Sequence, residues 1–363
     1  MRTAVGGGAS RSGKIAVAVL GATGAVGQAF VRLLVDHPWF ELTEVAASER
    51  SSGRRYGEAA RWLGTEPVPR RVAEMTVLPC DPSAVRSELV FSALDSTVAG
   101  EVEGAFAAAG RYVLSNAKNY RMEPDVPLVI AEVNPDHLDL LDAQRECRGW
   151  SGGIITNGNC SSIVAVSALA PLHARFGVRN VFIATMQAVS GAGYPGVPSL
   201  DILGNVIPYI KDEEDKIETE ALKMLGRFEN GAVQPAPIAV SAHANRVPVE
   251  HGHTVCLSVG FEERVRPEQA LGALRDWTGA EAARGLPTSP ERPVVVTEEP
   301  DRPQPRRDVG TGRGMSVVVG RVRRDPLFDV KLIAMGDNIV RGAAGASVLN
   351  AELLLRAGRL AAR

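Results

Sequence analysis

Lys14-Ile-Ala-Val-Ala-Val-Leu20 followed at once by Gly21-Ala-Thr-Gly-Ala-Val-Gly27 is the stretch whose reading decides the fold. The first seven residues form an unbroken apolar run with β-branched members, the pattern of a strand buried on both faces in a parallel sheet. The next seven are a glycine-rich turn of the G-x-x-G-x-x-G kind, and Gln28 to Val35 continues with helical periodicity. Strand, glycine turn and helix in that order let backbone N–H groups approach a pyrophosphate at the helix N-terminus. Gly21, Thr23, Gly24, Ala25, Val26 and Gly27 are therefore candidate dinucleotide contacts.

The pattern extends outward. Leu42 to Ala47 reads as the second strand and runs into Ser48-Glu-Arg-Ser-Ser-Gly-Arg54. An acidic residue at this strand end binds ribose hydroxyls of NAD, whereas cations and hydroxyls accept the 2′-phosphate of NADP. Ser48, Arg50, Ser51 and Ser52 favour NADP, and Glu49 leaves NAD open. Strands at Leu89–Leu94 and Tyr112–Ser115 with a helix at Ala99–Ala109 continue the βα alternation of a doubly wound sheet. Ser115-Asn-Ala-Lys-Asn-Tyr-Arg-Met122 then supplies cations and amides after a strand end, where such sheets place ligands. It is read either as an anion site or as an exposed polar loop.

Bulk properties narrow the class. The chain has 363 residues, enough for two cores, and a formal net charge of −2, which gives no electrostatic footprint for nucleic acid or anionic membrane. No apolar run reaches membrane-spanning length, and Met1–Gly13 reads as a flexible Gly/Ser/Arg-rich tail without the apolar core of a signal peptide. The four cysteines (Cys80, Cys147, Cys160, Cys256) show no CxxC pairing. That argues for a reducing compartment, and the cytoplasm is the expected location.

The second half changes character. In Gly152-Gly-Ile-Ile-Thr-Asn-Gly-Asn-Cys-Ser-Ser-Ile-Val-Ala-Val-Ser-Ala168, Ile154 and Ile155 end a strand and Asn157–Asn159 make a turn. Ser161 and Ser162 are N-cap candidates for a buried helix from Ile163. Cys160 thus sits at a helix N-terminus, whose dipole and unpaired N–H groups favour a thiolate and can hold an oxyanion. A small buried cysteine in a cap has the same appearance; a nucleophile also needs a base and an orienting group. Candidates follow in Gln187 before Ser190-Gly191-Ala-Gly193, and in Arg246 and His253 of Asn245-Arg-Val-Pro-Val-Glu-His-Gly-His253. A histidine suits proton transfer near neutral pH, and Arg246 suits a carboxylate. His251 and His253 lack a third metal ligand, so no metal is expected.

Strands expected at Val178–Val189, His253–Phe261, Met315–Val322 and Leu327–Met335 suggest a mostly antiparallel sheet. Helices are expected at Ile163–Phe176, over Pro198–Leu225 with breaks, at Pro267–Ala283 and at Ala346–Ala357. Leu286–Arg313 reads as a long Pro/Arg-rich loop. The fold class is α/β: a Rossmann-type doubly wound NADP domain over 14–156, completed by a closing segment at 338–363, plus an α+β catalytic and dimerisation domain over 157–337.

Assembled, these motifs resemble aspartate-β-semialdehyde dehydrogenases, in particular their archaeal and fungal branch, from Lys14 to the closing helix. The resemblance implies that Cys160 in Asn159-Cys160-Ser161 is the nucleophile, Gln187 orients the acyl intermediate and His253 is the acid/base. It implies that Arg121, with Asn116, grips phosphate in Ser-Asn-x-x-x-x-Arg-Met. Glu214 and Lys216 match the pair that contacts substrate amino group and phosphate, and Arg246 the clamp on the α-carboxylate. It implies that Ser190, Gly191 and Asn338 contact the cofactor, and Asn338 with Arg341-Gly342-Ala343-Ala344-Gly345 resembles the late segment that lines the nicotinamide. Gly158 departs from the proline common in the family, which suggests a looser turn. The implied reaction is NADPH-dependent reduction of 4-phospho-L-aspartate to aspartate semialdehyde with release of phosphate, in lysine, threonine and methionine biosynthesis, by a homodimer or homotetramer. Malonyl-CoA reductase on the same scaffold and a non-catalytic NADP sensor are the alternatives. N-acetyl-glutamyl-phosphate reductases usually read Gly-Cys-Tyr at the nucleophile and are more remote.

Overall fold

The computed structural model describes residues 13–360, so the expected N-terminal tail lies almost wholly outside the described residues. The chain divides into two compact units. The first runs to Pro127 and takes in Leu138–Thr156 and the chain from Asn350; the second comprises Leu128–His137 and Asn157–Leu349.

The first unit is built on strands β1 (Ile15–Leu20), β2 (Phe40–Ala47), β3 (Val77–Pro79), β4 (Leu89–Ser92), β5 (Tyr112–Ser115) and β6 (Gly153–Thr156). All pair in parallel, in the order β3-β2-β1-β4-β5-β6. This is the 3-2-1-4-5-6 order of dinucleotide folds, whose switch point falls between β1 and β4. The apolar runs predict this: Val17 to Leu20 and Leu89 to Phe91 are fully buried, as strands covered on both faces must be. His37 secures the C-terminal segment to this unit. Its Nδ1 accepts the N–H groups of Trp39 and Phe40, and its Nε2 faces Glu352 at 2.7 Å, both side chains being buried.

The glycines of the first turn are dictated by contact. Gly21 has φ +70°, and a Cβ there would stand 2.5 Å from the Ala93 carbonyl oxygen at the end of β4. A Cβ on Gly27 would stand 2.2 Å from the carbonyl oxygen of Gly21, so helix Ala25–Leu34 sits this close to its strand only with glycine there.

The second unit contains β7 (Val178–Gln187), the small hairpin β8 (Arg227–Glu229) and β9 (Ala232–Gln234), then β10 (Ala239–Arg246), β11 (His253–Phe261), β12 (Val294–Val296), β13 (Val317–Arg324) and β14 (Val330–Gly336). Its main sheet has the order β10-β7-β11-β14-β13-β12. The three central pairings are antiparallel and both edge pairings are parallel, so the sheet is mixed but mostly antiparallel, as the sequence suggested. β10 and β12 were not foreseen. Ala239–Arg246 is too polar to stand out, and Val294–Val296 is three residues inside the Pro/Arg-rich stretch read as a loop. Helix Cys160–Phe176 lies in the core of this unit; its residues Ser161 to Leu172 are all buried, packed with Val255, Leu257 and Val317 among others. The span Pro198–Leu225 resolves into a single turn at Ser199–Ile202 and a helix at Glu213–Met224. Among the described residues no helix is long and apolar enough to cross a membrane.

Gly27→Ala is expected to overpack the turn and cost about 1–3 kcal/mol. A thermal melt should show a midpoint lowered by a few degrees, and a wild-type midpoint would refute the contact argument.

Candidate active site

The first unit holds the dinucleotide loop. Helix Ala25–Leu34 has Gly24 as N-cap with no side-chain cap bond, so no side chain competes for the N–H groups of its first turn. Two buried residues that the sequence did not mark brace the loop. Gln28 donates to the Thr23 carbonyl at 2.9 Å, and the Tyr56 hydroxyl donates to the Ala22 carbonyl at 2.9 Å. After β2, the N–H groups of Ser51 and Ser52 both donate to the Ser48 carbonyl, forming a turn that leaves Glu49 and Arg50 exposed. The loop and this turn are of the kind that receives a dinucleotide and its 2′-phosphate. Asn116 is held by the Ser92 carbonyl, which accepts from both its backbone and side-chain N–H groups. Arg121 is 7% exposed and donates to the Asn116 carbonyl at 2.7 Å. Arg121 and Asn116 therefore form one ordered turn of this unit.

The second unit gathers the remaining candidates. Cys160 is the first residue of its helix. Its N-cap is Asn159, whose Oδ1 accepts from Ser161 N at 2.9 Å and Ser162 N at 3.2 Å. The serines expected as caps are instead capped residues inside the first turn. The Asn-Gly-Asn turn is also not loose. Asn159 donates through its backbone N–H to Glu220 and through Nδ2 to Glu213 at 2.9 Å, while the Ser347 hydroxyl bonds the buried Asn157 side chain at 2.5 Å.

The sheet register brings the partners together. Arg246 and Gln187 are paired residues at the ends of β10 and β7, and His253 begins β11 beside them. His253 Nε2 lies 3.1 Å from Cys160 Sγ. His253 Nδ1 accepts the Ala188 N–H at 3.1 Å, so the ring's own proton sits on Nε2, pointed at the sulfur. Burial, reinforced by the nearby Arg246 charge, lowers the His253 pKa to about 3, keeping the ring neutral. Arg246 is 6% exposed and donates to the Ala188 carbonyl at 2.8 Å. Burial lowers its pKa, and the nearby Cys160 and Glu213 act the other way. Gln187 is buried and donates to Thr185 Oγ1 at 3.3 Å. A Cβ on Gly191 would come within 2.8 Å of Arg246 and 3.0 Å of His253 Nε2, so Gly191 keeps the space in front of both side chains open. Asn338 ties the rim together: it accepts from Gly252 N at 2.9 Å and donates to the Ser190 hydroxyl at 2.9 Å.

One assignment changes. Glu214 does not join this cluster; its carboxylate is 44% exposed and accepts the Ala244 N–H. The glutamate at the site is Glu213, 5% exposed, with Asn159 on one oxygen and Lys216 Nζ at 3.4 Å on the other. In Glu-Glu-Asp-Lys, Glu213 and Lys216 lie three apart and share a helix face, a spacing that favours Glu213 over its neighbour. Glu220, two turns further along the same helix, accepts the Asn159 N–H and carries no signal in the sequence.

A buried, tautomer-fixed histidine on a helix-capped cysteine, flanked by a buried arginine, defines an enzyme of thiol-mediated acyl chemistry, and the dinucleotide fold adds hydride transfer. Residues 16–141 match the family described as semialdehyde dehydrogenase, NAD binding domain, and residues 169–341 match semialdehyde dehydrogenase, dimerisation domain. The chain belongs to the semialdehyde dehydrogenase family. It is 53% identical to an aspartate-semialdehyde dehydrogenase of Archaeoglobus fulgidus over 94% of this chain and 98% of that one. It is 46% identical to that of Cryptococcus neoformans over 95% and 98%. The crystal structure of the Candida albicans aspartate-semialdehyde dehydrogenase with NADP superposes with a TM-score of 0.88 at 42% identity, covering 96% of this chain and 100% of that one. Within the family, the chain groups with the aspartate-semialdehyde dehydrogenases of archaea and fungi.

Two outcomes follow from this geometry. Between pH 6.5 and about 3 the unfolded chain binds a proton at His253 that the folded protein does not, so stability falls as pH drops through that window. Urea midpoints at pH 4 and 7 should differ less in His253→Asn than in wild type; equal differences would refute the buried neutral ring. Glu213→Gln should lower kcat/KM at least ~10-fold and Glu214→Gln less than ~2-fold. The reverse ranking would restore Glu214.

Proposed function

We propose that the protein is an NADP-dependent aspartate-semialdehyde dehydrogenase that interconverts 4-phospho-L-aspartate and L-aspartate 4-semialdehyde through a thioester on Cys160. The observation that carries this is the Cys160–His253 contact of 3.1 Å with the imidazole proton on Nε2, beside the buried Arg246.

In the biosynthetic direction the Cys160 thiolate, favoured by the helix N-terminus and Arg246, attacks the acyl phosphate. The C–S bond forms, the C–O bond to phosphate breaks, and Arg121 with Asn116 receives the phosphate. The glycine loop, Gly21 to Gly27, would hold NADPH, which would supply the hydride that reduces the thioester. His253 Nε2–H donates to the oxygen as negative charge builds on it, acting as an oxyanion donor that needs no reorganisation. Collapse of the hemithioacetal returns the sulfur as thiolate and releases the aldehyde. Arg246, aimed by the Ala188 carbonyl, clamps the α-carboxylate; Glu213 takes the α-amino group, and Lys216 adds a second cation for phosphate. Gln187 orients the acyl group.

The 2′-phosphate of NADP falls to Ser48, Arg50, Ser51 and Ser52, the pyrophosphate to Gly21, Thr23, Gly24, Ala25, Val26 and Gly27, and the nicotinamide end to Ser190, Gly191 and Asn338. In functional terms 14–156 with the closing helix binds cofactor, and 157–337 carries catalysis and dimerisation. Leu128–His137 and residues 338–349 group with the catalytic unit by packing. The working form is a homodimer or homotetramer in the cytoplasm, serving lysine, threonine and methionine synthesis. The buried Glu213 favours an amino-acid substrate over malonyl-CoA, which has no amino group for it to meet.

The test is NADPH absorbance with L-aspartate semialdehyde and NADP, with and without phosphate, and malonyl-CoA with NADPH as a parallel arm. Phosphate-dependent NADP reduction is expected; activity only with malonyl-CoA would overturn the substrate. Cys160→Ala should abolish turnover and keep NADP binding. Arg246→Leu should raise KM for the semialdehyde about 100-fold with a smaller change for phosphate, and the opposite split would displace Arg246 from the carboxylate.

A further inference from the structure

Arg341 is the largest fully buried side chain among the described residues, and no step above uses it. It donates to Glu132 at 2.7 Å and to the Ser167 hydroxyl at 3.1 Å, and both members of the ion pair are at most 2% exposed. Ser167 belongs to the helix that Cys160 begins. Arg341 is also part of a π-turn, Val340–Ala344, in which Gly342 N bonds Asp337 O at 2.8 Å and Ala344 N bonds Ile339 O at 2.8 Å. Asp337 caps the entry by accepting the N–H groups of Ile339 and Val340, both at 2.7 Å. Single π-turns tend to mark functional sites, because they aim backbone where an α-helix would not.

Here the turn is aimed at the nucleophile. A Cβ on Gly342 would lie 2.6 Å from Cys160 Cβ and 3.0 Å from its Cα. Gly342 does not have a positive φ, so its backbone conformation admits any L-residue. The contact with Cys160 is what requires glycine.

Taking Cys160 as the nucleophile, as proposed above, we infer that the Val340–Ala344 turn is a positioning element. The backbone of Gly342 is the wall against which Cys160 Cβ rests, and the buried Arg341–Glu132 pair holds that wall in place. The wall confines the sulfur to the side of His253 Nε2 and Arg246, where the thiolate is favoured. A methyl group on residue 342 has nowhere to go except by moving Cys160, since the turn is tied down through Arg341, Asp337 and Ile339.

The experiment is Gly342→Ala in the full-length enzyme with three readouts: steady-state kinetics, NADP affinity, and the pH profile of Cys160 carbamidomethylation by iodoacetamide. Peptide mass analysis would separate Cys160 from Cys80, Cys147 and Cys256. The expected result is kcat lowered about 100-fold, the scale of an ångström-sized misplacement, with the NADP Kd within about twofold of wild type. Cys160 alkylation should slow about tenfold at pH 7 and differ little at pH 10, because the sulfur loses its stabilising partners and not its access.

A wild-type alkylation profile would overturn the inference, whatever happens to kcat. So would a raised NADP Kd with alkylation unchanged, since the glycine would then serve the cofactor. If Gly342→Ala does not accumulate as folded protein, Glu132→Gln replaces it and should move kcat and alkylation at pH 7 in the same direction by about fivefold; unchanged values sink the inference equally. Cys160→Ala run in parallel separates the two readings. Turnover by that variant would remove the nucleophile itself, whereas its inactivity beside a wild-type-like Gly342→Ala would remove only the wall.

Discussion

The 3.1 Å approach of His253 Nε2 to Cys160 Sγ is the interaction on which the catalytic unit depends. It has requirements from two directions. The sulfur must sit at a helix N-terminus, where partial positive charge favours the thiolate. The ring must keep its proton on the nitrogen that faces the sulfur. Both conditions are met by backbone groups. The Ala188 N–H occupies Nδ1, and the Ala188 carbonyl, on the same residue, aims Arg246. One residue at the end of β7 therefore sets both the tautomer of the histidine and the direction of the arginine.

Burial is what makes this arrangement effective and costly. His253 has no exposed surface, and Arg246 and Glu213 are nearly buried, so the charge of Arg246 acts through a medium much less screening than water. A neutral histidine, a cationic arginine, a cysteine and a glutamate can share such a space only when each polar atom is directed at a partner. Asn159 shows how this is achieved: one side chain caps the helix with its oxygen and bonds Glu213 with its nitrogen, while its backbone N–H bonds Glu220. The turn that precedes Cys160 is therefore tied down at both ends of Asn159 although its sequence, Asn-Gly-Asn, is that of a flexible one.

Glycine serves a common purpose in both units. Gly27 in the first unit, and Gly191 and Gly342 in the second, lack a positive φ, so none is there for backbone freedom. Each marks a place where something must come closer than a Cβ allows: a helix to its strand, Arg246 and His253 to a loop, a turn to Cys160. Sequence motifs rich in glycine are often taken as flexibility signals, yet at these positions close contact is what glycine provides.

The sequence by itself determined the parallel dinucleotide sheet, because continuous apolar runs and a glycine turn between strand and helix leave few alternatives. It also determined the identity of Cys160, Arg246 and His253 as candidates, since each stands beside turn residues that expose chemistry. It did not determine which of two adjacent glutamates matters. Glu213 and Glu214 are identical in type, and only helix phase against the Cys160 turn buries one and exposes the other. Nor did it reveal β10, where alternate polar residues hide a strand, or the roles of Gln28, Tyr56, Glu220 and Gly342. Those follow from contacts between residues far apart in the chain, such as 160 with 342 and 132 with 341. Local pattern carries no information on distances of that kind; they exist only once the core has packed.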